Sequence, residues 1–336
     1  MPTGLQYFIS SREKEGLSRH FIASILKSVD IETLCSYVRT WNKFANWRAR
    51  RENYSSTISI NDIGLFLLHL FRQNFSYSSL NSARSGLSFF LSHALDISSD
   101  AYLSRLFKYF FKVRPALPRY WVTWDVNRLL TFLKTWHPIS SLSLKALTLK
   151  TVTLVAVTSS DRAQTINAMD IEHCTVSDEG ILFPIHSLLK TSRRNHPIRV
   201  VKCHNFTDPA LNVSDYVLAY LRRTFKFRLR AVDSGLPKPT SLFLSYHTGK
   251  QVRTSTLSKY ILTTMELAGI DTDVYKAHTT RGAFPSLMRR KGCSANNILE
   301  QGDWSSISTF QRYYSRESED TQAGLLIQEV LGKKRN

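Results

Sequence analysis

Two prolines a turn apart, Pro115 and Pro118, set between Arg114 and Arg119, divide this chain. Each removes a backbone donor and forces its predecessor out of the helical region, so no helix crosses Arg114–Arg119. The segment reads as an extended linker over residues 115–119. Residues 1–20 read as an N-terminal arm, 21–114 as a helical domain and 120–336 as a second, larger domain. A chain of 336 residues is long enough for two such cores.

The patterns on either side differ. Before the linker, apolar residues recur at helical spacing. Ile63, Phe66, Leu67, Leu70 and Phe71 form one stripe behind a cap at Asn61 or Asp62. Leu80, Ala83, Leu87, Phe90, Leu91 and Ala94 form another within 77–95, and further helices fit 28–50 and 101–112. After the linker, a helix starts at Thr123 or Asp125 and a long apolar one spans 142–157. Short strands follow at 181–185 and 197–201, then helices at 213–228, 254–268, 279–290 and 294–301. The expected fold is mainly α with a small antiparallel sheet, an α+β second domain behind an all-helical first one.

Charge bounds the partner. Lys plus Arg number 45 against 26 Asp plus Glu, a net +19. The excess is shared: 15 basic and 8 acidic residues up to position 115, 30 and 18 beyond it. Two basic domains suit a polyanion enclosed from both sides, and double-stranded DNA is the expected partner. Cys35, Cys174, Cys203 and Cys293 have no zinc-knuckle spacing and read as reduced thiols, so no metal site is expected. No run reaches the roughly 18 apolar residues of a membrane span, and the first residues lack a secretory pattern. The expected location is the nucleus of a eukaryote, or otherwise the cytoplasm; the chain is not expected to be secreted or membrane-bound.

The densest chemistry lies late in the chain. His278 and Arg281 stand three apart in Ala277-His-Thr-Thr-Arg281, a spacing that shares a helical face. Gly302-Asp-Trp304 follows, and Tyr313 and Tyr314 come nine and ten residues beyond the tryptophan. Upstream, Arg162 ends the long apolar stretch in Asp161-Arg-Ala-Gln-Thr165. Lys190 lies 28 residues further on, in a basic hairpin tip with Arg193 and Arg194.

In this order the residues resemble the tyrosine recombinases, or phage-integrase family: an early Arg, a hairpin Lys, H-x-x-R, a His or Trp, and a Tyr nucleophile. The resemblance implies a helical core-binding domain followed by a catalytic domain. It implies a site-specific DNA recombinase or integrase working through a 3′-phosphotyrosine intermediate, without metal, cofactor or ATP, in a homo-tetramer on DNA. The catalytic set it implies is Arg162, Lys190, His278, Arg281, Trp304 and Tyr313, with Tyr314 as the alternative nucleophile. Arg193, Arg194, Arg114 and Arg119 are candidates for contacting the DNA backbone. The Arg-Ala-Gln-Thr wording and the tryptophan are similar to recombinases of eukaryotic mobile elements of the DIRS type. Two departures stand out: Thr165 occupies a position that is acidic in many members, and Asp303 separates Gly302 from the aromatic residue. A type IB topoisomerase-like enzyme and a catalytically silent DNA-binding protein are the alternatives.

The chemistry accounts for the residue types. Two guanidiniums present fixed forks to phosphate oxygens and stay charged, so they can do the neutralising work that metal ions do elsewhere. A phenol, whose pKa is ordinarily about 10, needs a base or a cationic field to attack. His278 is the candidate base and Lys190 the candidate acid for the leaving 5′ oxygen. The apolar residues Leu325, Leu326, Ile327, Val330 and Leu331 suggest a terminal helix that docks on a neighbouring subunit.

Overall fold

The computed structural model describes residues 4–51, 57–115, 122–192, 194 and 198–318, apart from the side chains of Arg312, Tyr313, Glu317 and Ser318. The chain forms two compact units, Met1–Leu117 and Pro118–Asn336.

The first unit is helical among its described residues: α1 (Gly4–Lys14), α2 (Arg19–Lys27), α3 (Ile31–Ala49), α4 (Ile60–Arg72), α5 (Tyr77–Leu91) and α6 (Ala101–Val113). The region read as an arm is helical from Gly4, and Phe8 of α1 is buried in the core with Trp41, Phe44, Phe66 and Phe90. Its signal was masked because α1 carries a polar remainder, Ser10 to Lys14, around that one aromatic anchor. The cap of α4 is Ser59, not Asn61 or Asp62. Its hydroxyl accepts from the Asp62 amide, and the Asp62 carboxylate accepts from the Ser59 amide, a reciprocal capping box.

The second unit is built around α8 (Leu144–Ser159). Its residues from Leu147 onward are all buried, so it is covered on every face and sits at the centre of the core. Short β1 (Val122–Thr123) and α7 (Val126–Thr135) precede it. Asp125 caps α7 by accepting from the Asn127 amide. After α8 come α9 (Ala163–Asn167) and an antiparallel sheet in the order β2 (Thr175–Ser177), β3 (Gly180–Pro184), β4 (Val200–His204). β4 begins at Val200 rather than Pro197. Its pairing with β3 puts Val201 opposite Phe183 and Cys203 opposite Ile181, all four buried. β2, unexpected from sequence, is exposed along its length and so has no apolar alternation to read. α10 (Val213–Asp233) and α11 (Thr254–Leu267) pack against α8.

The last elements carry the distal motifs: α12 (Thr280–Arg290), α13 (Ala295–Gly302), α14 (Ile307–Tyr313) and β5 (Glu317–Ser318). β5 pairs in parallel with β1, Val122 opposite Glu317, which ties the chain beyond Tyr314 to the start of the unit. No helix among the described residues is long and apolar enough to cross a membrane. The apolar residues 325–331 lie outside the described residues.

Candidate active site

The site gathers where α8 ends, α12 begins and the segment from α13 to β5 folds back. α8 stops at Ser160, whose backbone is left-handed at φ 56°. Such a conformation is uncommon for a residue with a Cβ. It releases the Ser160 carbonyl from the helix, and that carbonyl accepts from Arg281 Nη1 at 2.9 Å. Arg281 Nη2 donates to the carbonyl of Gly302, the last residue of α13. The guanidinium is 1% exposed and lies 4.7 Å from the centroid of the Trp304 ring and 5.4 Å from that of Tyr314.

Two glycines make this packing possible. A Cβ on Gly302 would sit 1.9 Å from Trp304 Cζ3, so the indole lies directly on the glycine's backbone. A Cβ on Gly282 would come within 3.1 Å of the Tyr314 carbonyl oxygen and 3.3 Å of its Cβ. The Tyr314 carbonyl accepts from Ser286 Oγ at 2.9 Å, holding the end of α14 against α12.

His278 occupies a short 3-10 turn, Ala277–Thr279, that leads into α12. The next residue, Thr279, is fixed by the buried Trp124 Nε1, which donates to its hydroxyl at 2.8 Å. His278 Nε2 and the Tyr314 hydroxyl are 3.4 Å apart. Desolvation pushes the His278 pKa below its usual value, and the charges of Arg281, Arg162 and Lys190 add to that push. His278 keeps an exposed edge, open to an incoming ligand. Arg281 is likewise lowered, by burial first and then by Arg162, while Tyr314 and Asp161 oppose the shift. Arg162, Lys190, His278 and Arg281 thus share one electrostatic neighbourhood, although they come from three separate stretches of chain.

Lys190 is exposed in a turn closed by Ser192, whose amide donates to the Leu189 carbonyl at 2.9 Å. Thr191 Oγ1 donates to Asp303 Oδ2 at 2.9 Å, which links this turn to the segment bearing Trp304. Among the described residues, the buried donors Arg281 Nε and Trp304 Nε1 meet no acceptor. The arrangement can hold an oxyanion, since it offers several cations and unsatisfied donors around a phenol.

Tyr314 is the tyrosine whose described side chain lies among His278, Arg281 and Trp304; the side chain of Tyr313 lies outside the described ones. Arg193 and Arg119 also lie outside the described residues, and Arg194 is exposed in the turn beyond Lys190. Arg114 lies in the first unit, where it donates to the Phe71 carbonyl, the Phe75 carbonyl and Asn74 Oδ1 at the end of α4. Sequence reasoning missed Asp161 and Arg199, a buried ion pair directly beside Arg162. The adjacent Asp-Arg dipeptide was its one visible trace. Among the described residues no group of three or more His, Cys, Asp or Glu side chains is arranged to hold a metal ion.

A helical first unit and a mainly helical second unit that brings this cationic cluster to a tyrosine-bearing helix define the class. The chain belongs to the phage integrase family, which matches residues 123–320; the family's N-terminal SAM-like domain matches residues 18–100. Among curated proteins, none matches it in sequence. Solved structures share the fold at low identity. The XerH site-specific recombinase bound to palindromic difH substrate, a post-cleavage complex, has TM-score 0.59 and 14% identity over 94% of this chain and 83% of that one. The Tn1549 transposon integrase in complex with transposon right end DNA has TM-score 0.55 and 13% identity over 98% and 100%. A lambda integrase tetramer bound to a Holliday junction has TM-score 0.54 and 15% identity over 89% and 78%.

Proposed function

We propose that the chain is a site-specific DNA recombinase that breaks and rejoins strands through a 3′-phosphotyrosine intermediate, with no metal or ATP. The observation that carries this reading is the convergence on His278 of the charges of Arg281, Arg162 and Lys190, with a phenolic hydroxyl 3.4 Å from its Nε2.

Arg162 and Arg281 clamp the scissile phosphate and offset the charge that grows on its non-bridging oxygens. Trp304 Nε1 donates to one of those oxygens. Tyr313, at the nine-residue offset from Trp304, attacks phosphorus and displaces the 5′ oxygen. His278, kept neutral by desolvation first and by its cationic neighbours second, takes the phenolic proton. Lys190 gives a proton to the leaving oxygen. The covalent bond conserves the phosphodiester energy, so a second 5′ hydroxyl can reverse the step on another strand. A tetramer on double-stranded DNA, with the segment 325–331 docked on a neighbouring subunit, gives each strand its partner. The Arg-Ala-Gln-Thr wording and Trp304 support a place among recombinases of DIRS-type mobile elements.

A second reading, attack by Tyr314, is favoured by its contact with His278. Suicide substrates carrying a nick near the cleavage position separate the two. Wild-type protein is expected to form a covalent adduct, Tyr313→Phe none, and Tyr314→Phe a reduced amount. Adduct retained by Tyr313→Phe and lost by Tyr314→Phe establishes the second reading. No adduct from any wild-type preparation that binds DNA rejects both, and leaves a silent DNA-binding protein.

A further inference from the structure

Resting on the strand-transfer reading only for its activity assay, we propose that Arg199 is a positioning residue that, through Asp161, sets the distance between Arg162 and Trp304. Arg199 opens the approach to β4, outside every motif noted in the sequence. Its guanidinium meets the Asp161 carboxylate with two bonds, Nε to Oδ1 at 3.1 Å and Nη2 to Oδ2 at 2.9 Å. It also donates to the two carbonyls near the end of α13: Nη1 to Glu300 and Nη2 to Gln301, each at 2.9 Å. The pair is sheltered, its side chains 13% and 2% exposed. The positive charge meets the negative end of the α13 dipole, where a cation is favoured.

The two segments so joined are 158–162 and 300–304, and Arg281 joins the same two. Arg281 bridges the Ser160 and Gly302 carbonyls, while Arg199 bridges Asp161 and the Glu300 and Gln301 carbonyls. The Gln301 side chain adds a bond to the Thr158 carbonyl. Ser160 and Asp161 alternate as attachment points immediately before Arg162, and Gly302 lies two residues before Trp304. Two guanidinium staples therefore hold one gap, with Arg281 at the site and Arg199 behind it. Asp161 also counters the mutual repulsion of Arg162 and Arg281, since its charge favours the charged form of Arg281. Thr165 leaves the usual acidic position of the family neutral, and Asp161 supplies a carboxylate from the other side of Arg162. A lysine in place of Arg199 keeps the charge but cannot make four directed bonds.

The test uses the full chain carrying Arg199→Lys, and a double variant, Asp161→Leu with Arg199→Met, whose apolar pair replaces the ion pair without leaving a lone buried charge. The expected result is DNA affinity within roughly threefold of wild type and single-turnover cleavage slower by about 100-fold, the scale of a misplacement near 1 Å. Folded variants that cleave within threefold of wild type overturn the proposal, and so does a parallel loss of affinity and cleavage. Hydrogen exchange without DNA gives a readout independent of activity. Amides of 159–163 and 299–304 are expected to exchange faster together in Arg199→Lys, and unchanged exchange overturns the staple. Paired faster exchange in the variant, alongside a wild type that forms no adduct, upholds the staple and rejects the strand-transfer reading instead.

Discussion

Replacing Gly302 by alanine tests the seat of Trp304. The added methyl would lie 1.9 Å from Cζ3 of the indole and 2.3 Å from Cε3 and Cη2. Carbon atoms pack at about 3.5–4.0 Å, so the ring must retreat by roughly 1.5 Å or the end of α13 must move instead. Either motion separates Trp304 from the Arg281 guanidinium, now 4.7 Å from its centroid, or shifts the Gly302 carbonyl that Arg281 holds. Overpacking of this kind costs about 1–3 kcal/mol of stability, and a displacement of that size near a reacting phosphate slows chemistry by about 100-fold. Gly292→Ala is the control: its φ of 82° strains the backbone, but nothing lies within 4 Å of the new methyl. Melting temperature, DNA affinity and single-turnover cleavage of nicked substrates would be compared. Gly302→Ala should lose cleavage far out of proportion to affinity, whereas Gly292→Ala should lose a little stability alone. Wild-type cleavage by Gly302→Ala would refute the argument that the indole's contact with Arg281 orders the site.

Three further outcomes follow from particular groups. Lys150 is buried and donates at 2.7 Å to the Leu133 and Trp136 carbonyls and the Tyr216 hydroxyl, and desolvation pushes its pKa down to about 7. An unfolded lysine holds its proton to about pH 10.4, so the unfolded chain binds more protons above pH 7 and stability rises with pH by up to about 1.4 kcal/mol per unit. Urea titrations from pH 7 to 8, below the unfolded thiol pKa of about 8.5 at which the buried Cys203, pushed up to about 12, begins to oppose the trend, should show that rise, and Lys150→Met should abolish it. His278 has its pKa held below the ordinary imidazole value, so its neutral form persists at neutral pH; the cleavage rate should stay level there and decline only as pH drops beneath that lowered pKa, a limb missing in His278→Gln. Ser59→Ala removes the α4 capping box and should lower stability by about 1 kcal/mol in chemical denaturation, with cleavage chemistry unchanged.

The helices announced themselves where a face is buried: α4, α5 and α6 carry apolar stripes, and α8 is rich in Leu and Val along most of its length. What escaped the sequence lacked that periodicity. β2 is exposed on both faces, and α1 offers one deep anchor, Phe8. Neither element leaves a two- or 3.6-residue rhythm. The candidate site was legible as residue types in order, since His278, Arg281, Trp304 and the tyrosines crowd one stretch of chain. The Asp161–Arg199 pair was not, because its partners are 38 residues apart and are joined only by the hairpin's return. Spacing favoured Tyr313, whereas the described contact with His278 belongs to Tyr314. The stop of α8 at a left-handed Ser160 and the pairing of β5 with β1 orient that segment, and both are tertiary facts.

The most direct measurement is the identity of the residue linked to DNA after incubation with a nicked suicide substrate in chelator. Peptide mapping of the adduct should find a single phosphotyrosyl linkage at the end of α14, on Tyr313, formed in the absence of divalent ions. A linkage through a serine, a requirement for added metal, or strand cleavage that leaves no protein attached would contradict the account.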